Sequence, residues 1–124
     1  MKLVITFFAV LASVFFSATD VSEDVVNALK QGKTSELVKY FDEKVSIKLI
    51  NQEDVLSKSQ AEANIKYFFE KHPVKNFSSS HISSPNNNSQ YITGTLESGS
   101  EKFRVSILIR RNLVTQFRIE TNND

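Results

Sequence analysis

Between residues 89 and 121, apolar and polar side chains alternate in three runs parted by two turns, a pattern that predicts three consecutive antiparallel strands. In the middle run Phe103, Val105, Ile107 and Ile109 alternate with Arg104, Ser106, Leu108 and Arg110, so the odd row faces a core. The next run offers Leu113, Phe117 and Ile119 at odd positions, and the apolar rows coincide only if odd pairs with odd. A two-residue turn at Arg111-Asn112 would set Arg110 against Leu113 and throw the rows onto opposite faces. The expected connection is therefore a three-residue loop of Arg110, Arg111 and Asn112, pairing Ile109 with Leu113, Val105 with Phe117 and Phe103 with Ile119. On the other side, a loop over residues 98–101 sets Glu97 against Lys102, and Ile92, Gly94 and Leu96 against Ile107, Val105 and Phe103. Gly94 marks a bend or bulge in that register.

Upstream the period changes. Val25, Val26 and Leu29 follow helical spacing, with Ser22, Glu23 and Asp24 as cap and first-turn acids and Gly32 as the stop. A second helical piece, capped at Thr34 or Ser35, carries Leu37, Val38 and Phe41 up to Asp42. Val45, Ile47 and Leu49 alternate as a short strand that ends in the polar break 51–54. Ser59 and Glu62 have capping-box spacing for a helix bearing Ala61, Ile65, Phe68 and Phe69, which ends at His72 because Pro73 disfavours helical geometry before it. Residues 74–84 read as a strand that needs a bulge or has only one anchored end, since Phe77 and Ile82 differ in parity; residues 85–89 read as a loop and 121–124 as a polar tail.

The chain has 124 residues, no internal repeat and no linker, which suits one domain. Residues 1–19 stand apart: Lys2, an apolar run over 3–16 and the small residues Ser17, Ala18 and Thr19 predict a signal peptide. The run is shorter than the roughly 18 to 20 residues of a membrane span, so no stable membrane insertion is expected after its removal. The expected mature domain, 20–124, is exported to a periplasm or secreted. It has no cysteine, so packing must supply its stability. Without Lys2 the chain carries 14 basic and 14 acidic residues, a neutral balance that lacks the electrostatic footprint of a nucleic-acid binder.

Chemistry-bearing residues are scattered. His72 and His81 have no second ligand at metal-site spacing, and no metal or cofactor is expected. Asp42, Glu43, Glu53 and Asp54 sit at element ends, where carboxylates serve as solvated caps. There is no Gly-rich phosphate loop, no Gly-x-Ser-x-Gly and no cysteine nucleophile. Tyr40, Tyr67 and Tyr91 suit the edge of a core. Arg104 and Arg118 share the outward face, where they can hold a carboxylate or phosphate or pair with Glu97, Glu101 and Glu120. The same face carries Tyr91, Leu108 and Val114, a modest apolar patch that fits a sheet-to-sheet homodimer.

The order of elements, ending in the turn and strand of residues 111–119, resembles the nuclear-transport-factor-2-like superfamily. Ala28-Leu29-Lys30-Gln31-Gly32-Lys33 and the continuation Leu37-Val38-Lys39-Tyr40-Phe41-Asp42-Glu43-Lys44-Val45 look like its first helical hairpin. The resemblance implies an α+β fold with N-terminal helices on the concave face of a curved, mainly antiparallel sheet of four to five strands. In character the chain is similar to small exported bacterial members of unknown function. It also implies a pocket between helices and sheet, with Tyr40, Phe41, Tyr67, Phe69, Phe103 and Phe117 as candidate lining. Laid on the ketosteroid isomerases through Leu29, Gly32 and Phe41, the tyrosine donor falls at Val25 and the aspartate base at Leu49, and neither side chain moves a proton. Phe41, Phe68, Phe69, Phe103 and Phe117 are expected to crowd the pocket. The expected function is a non-catalytic exported domain that binds a small ligand or a protein partner, through the cone interior or the outer sheet face. The alternative is an exported enzyme using Tyr40, Tyr67 and His72. A cystatin-type inhibitor shares the helix-on-sheet look, but the chain lacks a Gln-x-Val-x-Gly hairpin.

Overall fold

A computed structural model describes residues 20–86 and 88–122; the expected signal peptide lies outside the described residues. Asp20 precedes helix α1 (Val21–Gln31), and its carboxylate accepts hydrogen bonds from Ser22 Oγ at 3.0 Å and from Gln90 Nε2 at 3.2 Å. Those bonds, Gln90's first, hold the Asp20 carboxyl below the usual range and tie the helix start to the sheet. Gly32 closes α1 in the left-handed region (φ 65°), as a helix stop requires. Helix α2 (Thr34–Leu37) runs into one 3-10 turn (Val38–Tyr40). The helical piece ends sooner than its stripe predicts, because Phe41 pairs with Val114 and so opens strand β1 (Phe41–Leu49). Then follow β2 (Gln52–Ser57), α3 (Lys58–Lys71), β3 (Asn76–Asn86), β4 (Ser89–Ser98), β5 (Glu101–Arg110) and β6 (Leu113–Thr121).

The strands form one curved sheet in the order β2-β1-β6-β5-β4-β3, antiparallel throughout except for the β1–β6 pair. This is the expected α+β arrangement of helices on a mainly antiparallel sheet, with six strands instead of four to five. The added strand is β2, which occupies the stretch expected to be a polar break. Its four leading residues are exposed, so no buried row betrays it, and backbone pairing with β1 alone defines it. Its last residue, Ser57, also caps α3. Ser57 Oγ accepts from the Gln60 amide at 3.3 Å while Gln60 Oε1 accepts from the Ser57 amide at 3.1 Å. The capping box is therefore Ser57 and Gln60, two residues before the expected Ser59 and Glu62. The expected helix end at His72 holds.

The register between β4 and β5 is the expected one, with Glu97 opposite Lys102 and Ile92, Gly94 and Leu96 opposite Ile107, Val105 and Phe103. The β5–β6 connection differs. Arg111 (φ 53°) and Asn112 (φ 67°) form the two-residue turn that parity argued against, and Arg110 pairs with Leu113. A bulge at Thr115 then restores odd-with-odd pairing, placing Ile107 opposite Phe117 and Val105 opposite Ile119. Val114 consequently turns into the core at 0% exposure, while Leu113 is 38% exposed.

The core lies between the helices and the rows Phe103, Val105, Ile107, Ile109 of β5 and Val114, Phe117, Ile119 of β6. Phe77 and Ile92 close it on one side, and Val45 and Ile47 on the other. Of the two alternatives for strand β3 the structure shows the bulge, between Ser79 and His81, beside Gly94.

Candidate functional site

The expected pocket residues divide between core and surface. Phe41 and Phe117 are buried with ring centroids 5.8 Å apart, and Phe68 stands edge-on to Phe69 at 6.1 Å and to Phe103 at 5.6 Å. These rings occupy space between α3 and the sheet. Val25 is fully buried and Leu49 packs half-buried against the same core, so the two residues onto which the resemblance lays the isomerase donor and base are packing residues here. Tyr67 is 60% exposed on α3, with the Lys71 ammonium 5.0 Å from its ring centre. Tyr40 lies in a separate surface groove with Asp24, Lys33 and Glu36, where burial first and the Asp24 carboxylate second push its phenol above the usual range. His72 packs 4.6 Å from Phe68 and 5.3 Å from Phe103, with Nδ1 2.9 Å from Glu101 Oε1. Tyr40, Tyr67 and His72 thus have different neighbours, and the six candidate lining residues do not converge on one cavity.

On the helix-free side the pairing registers place Ser83, Tyr91, Leu108, Gln116, Ser46 and Val55 in one row across all six strands. Tyr91 and Leu108 are on this outer face as expected and half-buried; Val114, expected beside them, is in the core because of the bulge. The apolar member at the far end of the row is Val55, 67% exposed. In the next row Arg118 donates from Nη1 to Glu53 at 2.9 Å and from Nη2 to Glu120 at 3.4 Å, while Lys48 Nζ donates to Glu120 at 2.9 Å. Burial works against the Arg118 charge, but Glu53 and Glu120 outweigh it and raise its pKa. Arg118 is therefore committed to carboxylates within the protein, while Arg104 is exposed on β5 opposite Glu120. Glu53 entered this network with the strand that the sequence pattern hid.

The hydrogen bond from Lys48, reinforced by Arg118, holds the Glu120 carboxyl below the usual glutamate range. A depressed carboxyl contributes stability above the unfolded-state pKa and loses it as pH falls through the folded one. Glu120→Gln is expected to lower stability at pH 7 by about 1 kcal/mol or less, and to flatten the fall in urea midpoint between about pH 5 and 3. An equally steep acid limb in the variant would assign the pH dependence to other carboxylates.

Among the described residues no three histidine, cysteine or acidic side chains cluster as metal ligands, and His81 is exposed on β3. Of the acidic residues at element ends, Asp42 accepts the Glu43 amide on Oδ1 at 2.7 Å, and Asp54 is exposed on β2.

A site that the sequence pattern did not single out lies at the sheet end where β1 and β6 begin and β5 ends. Asp42, Ser89, Arg110, Arg111, Leu113 and Thr115 line an open groove of about 870 Å³ there, together with Asn88. The Arg111 amide donates to the Asn88 carbonyl at 2.8 Å, so the β5–β6 turn leans on the connection between β3 and β4. Neither Arg110 nor Arg111 makes an ion pair among the described residues. The only visible signal was the Arg-Arg dipeptide at a turn; that Asp42 stands beside it depends on β1 lying next to β6.

Helices on the concave face of a curved sheet, entered through a helical hairpin, define a nuclear-transport-factor-2-like α+β cone. Within that class the chain belongs to the family described as domain of unknown function DUF4783, which matches residues 22–121. The structure is similar to that of a DUF4783 family protein from Bacteroides uniformis, with 30% identity, a TM-score of 0.79 and coverage of 85% of this chain and 100% of that one. It is also similar to one from Bacteroides ovatus, with 30% identity, a TM-score of 0.75 and coverage of 82% and 94%. A candidate ketosteroid isomerase from Kribbella flavida shares the fold alone, at 13% identity and a TM-score of 0.59, over 84% of this chain and 76% of that one. No curated protein matches the chain.

Proposed function

We propose that this is a non-catalytic, exported binding domain that meets its partner on the outside of the cone, across the helix-free sheet face, and that the partner is a second copy of the chain. The observation that carries this reading is the filled interior: Phe41, Phe68, Phe69, Phe103 and Phe117 are all buried, and Val25 and Leu49, onto which the resemblance lays the isomerase donor and base, pack in or against the same core. The outer face supports a self-complementary contact. Its row sets Tyr91, Leu108 and Val55 among the uncharged Ser83, Gln116 and Ser46, and Lys48, Glu53, Arg118 and Glu120 neutralise one another beside it, so two copies meet without a net charge of one sign. Export is supported by the apolar leader preceding the family match at residue 22.

Sedimentation velocity tests the reading. A parent that dimerises at micromolar concentration, with Leu108→Asp shifting it to monomer by about tenfold or more in Kd and with unchanged circular dichroism, is the expected result, since a buried carboxylate at an interface costs well over 1.4 kcal/mol. A monomeric parent at high concentration rejects the homodimer, and a dimer insensitive to the change moves the interface off this face.

A further inference from the structure

We propose that the groove at the β5–β6 turn binds a phosphate monoester borne on a small hydroxylated body, with Arg110 and Arg111 clamping the dianion. Arg110 and Arg111 are consecutive, line one groove of about 870 Å³ and have no ion pair among the described residues, whereas Arg118 on the sheet face has two carboxylate partners. Paired guanidiniums match the bidentate geometry of phosphate oxygens. Around them the groove offers the Ser89 hydroxyl and the exposed Leu113 side chain as a floor for a carbon skeleton, while the Thr115 hydroxyl donates to the Leu108 carbonyl at 3.4 Å and is left as an acceptor. Asp42 sets the selectivity. Its Oδ1 is taken by the Glu43 amide at 2.7 Å, which leaves Oδ2 to accept from a ligand hydroxyl.

The backbone supplies an independent argument. Both turn residues are left-handed, Arg111 at φ 53° and Asn112 at φ 67°, in a turn whose low-strain occupants are Asn and Gly. An arginine held in that region is strained, and strain of this kind collects at ligand-binding positions. The turn is also braced, by the Arg111 amide on Asn88 O at 2.8 Å and by the pairing of Ser89 with Arg110, so the clamp is preorganised. The inference is independent of the sheet-face dimer, whose Tyr91 and Leu108 do not line this groove.

Calorimetric titration of inorganic phosphate and of glycerol 3-phosphate into the protein at low ionic strength tests it. Saturable binding of both is expected, with glycerol 3-phosphate at least several-fold tighter. Arg110→Gln and Arg111→Gly are each expected to weaken it tenfold or more. Arg111→Gly relieves the turn, so its melting temperature holds or rises and its loss of binding is not a loss of fold. Asp42→Asn is expected to tighten inorganic phosphate several-fold and to erase the preference for glycerol 3-phosphate. No saturable heat at millimolar ligand, or equal affinity in the parent and Arg111→Gly, overturns the proposal; an unchanged preference in Asp42→Asn overturns the hydroxylated class.

Discussion

Replacing Phe117 by alanine is expected to lower the free energy of unfolding by about 3 to 5 kcal/mol, the range for removing a buried ring from a packed core. Phe117 is 0% exposed and stands opposite Ile107 of β5 and beside Ile47 of β1, with the Phe41 ring 5.8 Å away. Strands on both sides fix the surrounding backbone, so the cavity cannot collapse and the loss sits at the upper end. Domains of this size have about 5 to 15 kcal/mol in all, so the variant loses a third or more of its stability. Urea denaturation measures it, with Phe117→Leu as the milder companion at about 1 to 2 kcal/mol. A loss below about 1 kcal/mol for the alanine variant would mean that the interior is loosely packed and that a ligand cavity lies where the rings are.

The second large effect is expected at Gly94. A Cβ built there meets the Ser78 carbonyl oxygen at 2.5 Å and the Phe77 ring at 2.6 and 2.9 Å. The carbonyl belongs to the paired backbone of β3, and the ring is fully buried, so neither moves freely. Gly94→Ala is therefore expected to cost at least about 2 kcal/mol as overpacking. Combining it with Phe77→Leu separates the obstacles: a double variant less unstable than the sum of the singles identifies the ring, and strict additivity identifies the β3 backbone. Thermal melts of the four proteins read this directly, and a neutral Gly94→Ala would show that β3 shifts easily against β4.

How far the sequence announces these features depends on the physics behind each. The β4–β5 register is legible because Phe103, Val105 and Ile107 find Leu96, Gly94 and Ile92 opposite them, and a two-residue turn with Gly99 at φ 63° joins the strands without shifting the rows. At β5–β6 the parity of apolar residues demands one extra residue, and it can be placed in the loop or in the strand. The structure places it at Thr115, where the tight turn at Arg111-Asn112 preserves strand twist, and this choice carries Val114 inward. Strand β2 left no period-two trace because its Gln52, Glu53, Asp54 and Val55 are all exposed, and with it went the Glu53–Arg118 ion pair. The groove was hidden for a topological reason: the run of strands does not tell that Asp42 on the first lies next to the turn preceding the last.

That placement of the last strand also governs when the chain can fold. Strand β1 takes β2 on one side, but its other edge pairs in parallel with β6, whose residues 113–121 are made after the other five strands. Until they emerge, Phe41 and Ile47 lack the Val114 and Phe117 partners that cover them, and the two halves of the sheet stay unjoined. Contacts of such long sequence separation close slowly, so a nascent or C-terminally truncated chain remains open well after its helices have begun to form. A ribosome-tethered chain should accordingly stay protease-sensitive until β6 has cleared the exit tunnel, and deleting residues 113–121 should leave it unable to reach the folded state at all.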